Sequence, residues 1–436
     1  MNGRIHRRAF LILVLAILVA VLYLRRAHPV RLHPRLVSAS IPNLWDTAWI
    51  LPLSDQATVD SYIEARASQG FNAMMVGVAS WGLQNTALGN GQTPFLANDV
   101  SVTRTGTGRW VADVSQPNNA GFAYIDHIVR QAEANNITVG LLPMSNGNTD
   151  TYVAAFTDTY SGEKRAYNYG KYVGQRYRNY SNIIWVLGGD VDPGASSTVV
   201  PLTRSLARGI RDSGATQAMT FHPTAFSTGE GESSSQWFKN DRWLTFNMIQ
   251  QPNTRLISSM VRSDYALRKR TGLGEGAYEG SVGADVVRSE AYQVYLCGGS
   301  YLAYGQANNY AGQNAQDTPG IDYSRIARNL MVQRGWLNYV PDNGRFVTSH
   351  GGTVIASVKG NTAAMVYILG SNSSATLNLS RVNSGSSVHV ERFNPGDGTK
   401  TSLGSFVPSG TQQFDTGGLP DAVILFDAVS SNSATY

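Results

Sequence analysis

The segment Asn182-Ile183-Ile184-Trp185-Val186-Leu187-Gly188-Gly189-Asp190 joins an apolar run to two glycines and a carboxylate. The run reads as a strand buried on both faces. A strand that carries an acid at its C-terminal tip, where glycine lets a ligand approach the backbone, is how a parallel barrel builds an active site. Taken alone, Asp190 could equally cap the next helix. Other apolar runs end in the same kind of residue: Asp46 and Trp49, Trp81, Asp192, His222, Asn247 and Gln250, Glu275 and Glu279, and Tyr304. Aromatic faces stack on sugar rings, and Asp, Asn and His hydrogen-bond hydroxyls. Two carboxylates across one pocket, a proton donor and a nucleophile or base, are what glycoside hydrolysis requires.

Each residue also has a structural reading. Asp46 before Thr47 could cap a turn, His222 before Pro223 could be a satisfied structural histidine, and Asp192-Pro193 reads as a turn former. Trp185 reads as core. Glu275 and Glu279, four apart in a glycine-flanked segment, are either pocket acids or solvated loop acids. The spacing shows no metal-ligand cluster, so no metal or cofactor is expected. The lack of a Gly-x-Ser-x-Gly elbow or a Cys/His arrangement argues against acyl transfer.

The elements that must position these side chains alternate in type. Strands are expected near residues 43–49, 71–78, 137–143, 183–187, 218–222, 243–248, 273–278 and 300–305, with helical patterns between them, such as 57–69 and 123–135. Ser54 and Asp55 precede the first helix and Gly70 follows it, as start and stop signals should. Eight such units over roughly 300 residues fit a (β/α)8 TIM barrel. The competing doubly wound sheet would be expected to show a glycine-rich phosphate loop, which is absent. Beyond about Gly344, short alternating runs at 352–358, 363–369, 375–379, 388–393 and 422–426 indicate a small antiparallel β-sandwich. The expected organisation is a leader and linker over 1–36, a barrel over 37–342 and a sandwich over 343–430.

The chain has 436 residues, 15% of them charged, and a formal net charge of +5. Residues 1–35 contain seven arginines and no acid, so the remainder carries a net −2 and nucleic acid is not an expected partner. The apolar run Ala9–Leu24 lies between Arg7-Arg8 and Arg25-Arg26. It reads as an uncleaved signal anchor with a cytoplasmic N-terminus, or as a cleaved signal peptide. Either way the body is expected outside the cytoplasm, touching a membrane only through this segment. The single cysteine, Cys297, sits among apolar residues and reads as a buried thiol. Asn136, Asn179, Asn372 and Asn378 stand in glycosylation sequons.

Several segments taken together resemble the apiosidase-like glycoside hydrolases. They are Leu44-Trp45-Asp46-Thr47-Ala48-Trp49, Gln69-Gly70-Phe71-Asn72, the strand ending at Asp190, Thr220-Phe221-His222-Pro223, Ser233-Ser234-Ser235-Gln236-Trp237-Phe238, Phe246-Asn247-Met248 and Tyr278-Glu279-Gly280. Arg392-Phe393-Asn394-Pro395-Gly396-Asp397-Gly398 resembles the sandwich that often follows such barrels. The resemblance implies a catalytic pair of Asp190, as acid/base, and a nucleophile that is Glu275 or Glu279. Glu275 is preferred because its Gly-Glu stands at the strand end. The chain departs from the family pattern at Leu273-Gly274-Glu275-Gly276, which lacks flanking prolines, and at Gly305-Gln306-Ala307-Asn308, where a tryptophan is usual. Asp46, Trp49, His222, Asn247 and Tyr304 are the expected substrate-binding residues.

The resulting expectation is an exported glycoside hydrolase acting on an oligosaccharide or polysaccharide, with retention and carboxyls about 5–5.5 Å apart. The alternative is a non-catalytic carbohydrate-binding surface protein, which a carboxyl pair separated by well beyond ~9.5 Å would favour.

Overall fold

The structure is a computed structural model. It describes residues 43–79, 85–98, 111–144, 149–156, 162–224, 231–309, 312 and 315–430. The expected anchor segment and Trp81 lie outside these residues. No described helix is long and apolar enough to cross a membrane.

Eight parallel strands form the barrel wall. They are β1 (Leu44–Thr47), β2 (Ala73–Gly77), β3 (Thr138–Leu142), β4 (Ile183–Val191), β5 (Met219–Pro223), β6 (Ile249–Gln250), β7 (Gly272–Glu275) and β8 (Tyr301–Tyr304). Hydrogen bonding runs unbroken from β5 back through β1 to β8, β7 and β6. Closure between β5 and the lead into β6 comes from Thr245 N donating to Met219 O at 2.8 Å and Thr220 Oγ1 donating to Phe246 O at 2.9 Å. The expected strand at 243–248 is thus irregular backbone that still completes the wall.

Strand alternation sorts the side chains. Trp45, Met75, Ile184, Val186, Met248, Tyr301 and Ala303 fill the barrel interior with Phe246 and Leu142. Their neighbours Leu44, Trp185, Leu187, Leu302 and Tyr304 face the surrounding helices. Gly140 makes room for the largest interior side chain, because a Cβ there would lie 2.6 Å from the Trp45 ring. Outside the wall, Asp55 caps helix Gln56–Ser68 by accepting from Thr58 N. Ser233 and Gln236 form a reciprocal capping box on Ser234–Phe238, which gives the serine-rich motif a structural task.

After helix Pro319–Arg334 the chain builds two antiparallel sheets. One holds six strands and the other three. Four of these strands, Val340–Pro341, Val347–His350, Lys400–Phe406 and Thr411–Asp415, were not expected from the sequence. They are mostly exposed, so no apolar alternation marks them. Barrel and sandwich share a core: Tyr292 on helix Ala284–Leu296 stacks on Tyr367 at 4.9 Å, and Arg288 pairs with the buried Asp421 at 2.8 Å. Cys297, at the end of that helix, is fully buried.

Candidate active site

At the tip of β4 the pairing with β5 jumps from Gly188↔His222 to Val191↔Pro223. Two residues, Gly189 and Asp190, therefore bulge out of the ladder. Gly188, Gly189 and Asp190 all have positive φ, at 81°, 103° and 55°. Gly188 also has no room for a side chain, since a Cβ would lie 2.5 Å from His222 O. A left-handed aspartate is a strained backbone choice, and such strain concentrates at functional sites. Here the strain turns the Asp190 carboxylate over the barrel mouth.

Glu275 arrives by a second irregularity. Ile249 pairs with Leu273, but Gln250 pairs with Glu275, so β7 gains one residue between them. Regular alternation would put Glu275 on the same outward face as Leu273. The shift turns it inward beside Gln250.

The two carboxylates then share partners. Gln250 Nε2 donates to Asp190 Oδ1 at 2.7 Å and to Glu275 Oε2 at 2.8 Å. His222 lies beneath them, 1% exposed, with Nδ1 accepting from the Asp190 backbone N at 3.3 Å. That bond leaves the proton of the neutral ring on Nε2, which stands 3.1 Å from Glu275 Oε2 but off the line of a hydrogen bond. Tyr278 donates its hydroxyl to Glu275 Oε1 at 2.7 Å and receives the Trp49 indole N–H at 2.7 Å. Trp49 in turn sets its ring edge-on to His222 at 5.0 Å.

Burial and the neighbouring Glu275 charge push the Asp190 carboxyl up to about 7, against the opposing influence of His222 and Gln250. Burial disfavours a charged His222, yet the two carboxylates outweigh it and raise its pKa. One oxygen of Asp190, one of Glu275 and one ring nitrogen of His222 lie within 4.8 Å of one another. Three such ligands could approach a cation; here the neutral Gln250 N–H group takes the place between the two carboxylates.

Four expected site residues lie elsewhere. Asp46 alternates with Trp45, so it points outward, where it pairs with buried Arg66 at 3.2 Å and accepts from Tyr62 at 2.5 Å. Tyr304 is its register partner on β8 and faces the same way. Glu279 belongs to that outer network: Tyr304 and Thr318 donate to one of its oxygens, and Gly320 N at the start of helix Pro319–Arg334 donates to the other at 3.0 Å. A carboxylate held on three donors at a helix N-terminus has a structural task. Asn247 is fully buried between the inward-facing Phe246 and Met248, and its side-chain amide has no hydrogen-bond partner among the described residues. Asp192 is buried, and its side chain closes a turn onto Gly194 N at 2.7 Å. The site so assembled is Asp190, Glu275, His222, Gln250, Tyr278 and Trp49. Of these, Gln250 is marked in the sequence by its place at a strand end, and Tyr278 only by its place in the Tyr-Glu-Gly motif.

The sequence profile described as "Apiosidase-like, catalytic domain" matches residues 40–344. The chain belongs to the apiosidase-like family. No curated protein matches it. Among solved structures it is similar to one described as a glycoside hydrolase, at TM-score 0.72 and 21% identity, covering 90% of this chain and 93% of that one. It is similar to a glycoside hydrolase family 5 protein from Bacteroides vulgatus ATCC 8482, at TM-score 0.71 and 22% identity over 89% of each chain. A GH27 β-L-arabinopyranosidase from Geobacillus stearothermophilus follows at TM-score 0.57 and 10% identity, covering 91% of this chain and 98% of that one. These likenesses extend through barrel and sandwich and concern the fold. Family membership and the paired carboxylates make this apiosidase-like protein a glycoside hydrolase.

Proposed function

We propose that the protein is an exported, retaining glycosidase in which Asp190 is the acid/base and Glu275 the nucleophile. The observation that carries this reading is the pair of carboxylates with oxygens within 4.8 Å of each other. That spacing suits direct attack on the anomeric carbon and leaves no room for the water of an inverting enzyme, whose carboxyls stand roughly 6.5–9.5 Å apart.

Asp190, protonated near neutrality, donates to the glycosidic oxygen as the bond to the anomeric carbon breaks. Glu275, held by the Gln250 and Tyr278 hydrogen bonds, attacks that carbon and forms a glycosyl ester. Esterification removes the Glu275 charge, one of the two causes that raise Asp190. Asp190, now a carboxylate, is then a better resting base for deprotonating the water that cleaves the ester. The product leaves with the original anomeric configuration.

The substrate class is a side chain of a cell-wall or other polysaccharide. The solved arabinopyranosidase neighbour, one form of which is in complex with arabinose, supports a pentose-bearing substrate class. Export rests on the arginine-flanked apolar run Ala9–Leu24. Hydrolysis of a glycan panel by wild type and Asp190→Asn tests the reading. A substrate cleaved by wild type should lose turnover by about 10²–10⁴-fold in the variant; equal rates would refute the assignment.

A further inference from the structure

Among the described residues, a cavity of about 500 Å³ opens at the end of the barrel opposite the carboxylates. It is lined by Tyr265, the turn Arg268-Lys269-Arg270 that leads into the start of β7, and Trp336 and Tyr339 at the approach to the sandwich. Glu275 sits at the far end of that same strand, so this cavity is separate from the catalytic mouth. Its volume falls within the range of small-ligand sites.

The lining holds three cations and no acid. Lys269 is engaged, donating to Lys239 O at 3.1 Å. The nearby Asp264 is buried and accepts from Ser233, Ser235 and Thr271; it and Asp241 act electrostatically on Lys269, which leaves the two arginines as the uncompensated charges of the rim. The Arg268 and Arg270 guanidinium groups are exposed and make no hydrogen bond or ion pair among the described residues. Trp336 is fixed beside them, with its indole N–H on Gly299 O at 2.9 Å and its ring edge-on to Tyr295 at 5.7 Å.

We propose that this cavity is a second carbohydrate site that binds a carboxylate-bearing saccharide unit of a polymer. It rests on the reading of the protein as a polysaccharide-acting enzyme. Free guanidinium forks match carboxylates bidentately. Partly exposed aromatic rings offer the apolar face a sugar ring needs. The concave shape favours a single saccharide unit over a lipid surface, which would meet a projecting patch. Binding here tethers the polymer at one end of the barrel while the carboxylates work at the other.

The test is affinity electrophoresis of the full chain, in non-ionic detergent, through gels containing polygalacturonate or its fully methyl-esterified form. Retardation by the charged polymer alone is expected. Arg268→Asn/Arg270→Ala, in which asparagine tolerates the left-handed backbone at Arg268 (φ 57°), should weaken it by about tenfold or more. Trp336→Ala should weaken it too, while Asp190→Asn should not. Hydrolysis of a small aryl glycoside should stay unchanged in the arginine variant. Equal retardation of wild type and the arginine variant would overturn the site. So would loss in the arginine variant without loss in Trp336→Ala, which is general charge attraction. Binding to phosphatidylglycerol vesicles with none to polygalacturonate would overturn it in favour of a membrane surface. Failure here with glycosidase activity intact removes only this site, and binding without glycosidase activity removes only the catalytic reading.

Discussion

Gln250 and Asp190 are joined by a 2.7 Å hydrogen bond from the same amide nitrogen that reaches Glu275 at 2.8 Å. Two carboxylates this close repel, and a neutral donor between them relieves the repulsion without adding a group that must itself titrate. The arrangement depends on two bulges, one on β4 and one between β6 and β7.

Replacing Gln250 by alanine should therefore lower kcat by about 10²-fold with a smaller change in KM, since the lost bonds orient groups that react. Gln250 holds the Asp190 pKa down, so its removal should also move the alkaline limb of the pH profile upward. Steady-state kinetics across pH read both effects.

The wild-type alkaline limb follows from Asp190 itself. The general acid must be protonated in the free enzyme, and its carboxyl sits at about 7. kcat/KM should therefore fall above neutral pH, by about tenfold for each further pH unit. The limb should be absent for aryl glycosides whose leaving group needs no proton.

Much of this site was legible in the sequence, and the failures share a cause. The strand ending at Asp190, the inward His222 and the interior Trp49 follow from apolar runs and strand ends. Asp46 and Tyr304 also end strands, a position that suggests the pocket, but alternation puts them on the outer face opposite Trp45 and Ala303. Glu275 is the reverse case, since only a register shift turns it inward, and no single-strand pattern carries a shift that depends on the partner strand. Tyr278 follows β7 in a loop whose course is set by tertiary contacts.

Glu279 gives the matching mutational contrast. Glu279→Gln should destabilise the fold by about 1–3 kcal/mol, by weakening charge-assisted bonds at a buried helix start. The folded fraction should keep kcat within a few-fold of wild type. Denaturant titration alongside active-site-normalised kinetics separates the two; a loss of kcat without loss of stability would return Glu279 to the catalytic pair.

Glu290 supplies a pH effect on stability independent of catalysis. It is fully buried, accepts from Ala277 N at 2.9 Å, and burial raises its carboxyl to about 8. A carboxyl whose folded pKa exceeds its unfolded value of 4.5 stabilises the fold fully below pH 4.5. That contribution is lost as pH rises to about 8, amounting to several kcal/mol. Glu290→Gln keeps an acceptor for Ala277 N and cannot ionise, so its unfolding free energy should fall less than that of wild type between pH 5 and 8. Urea unfolding at both pH values measures the difference.

The central claim is that Glu275 forms the covalent bond while Asp190 moves the proton. A 2-deoxy-2-fluoro glycoside of a cleaved sugar, with an activated leaving group, should accumulate the glycosyl ester, and peptide mapping by mass spectrometry should place the label on Glu275. A label on Glu279, or turnover with inverted anomeric configuration and no label, would contradict the account.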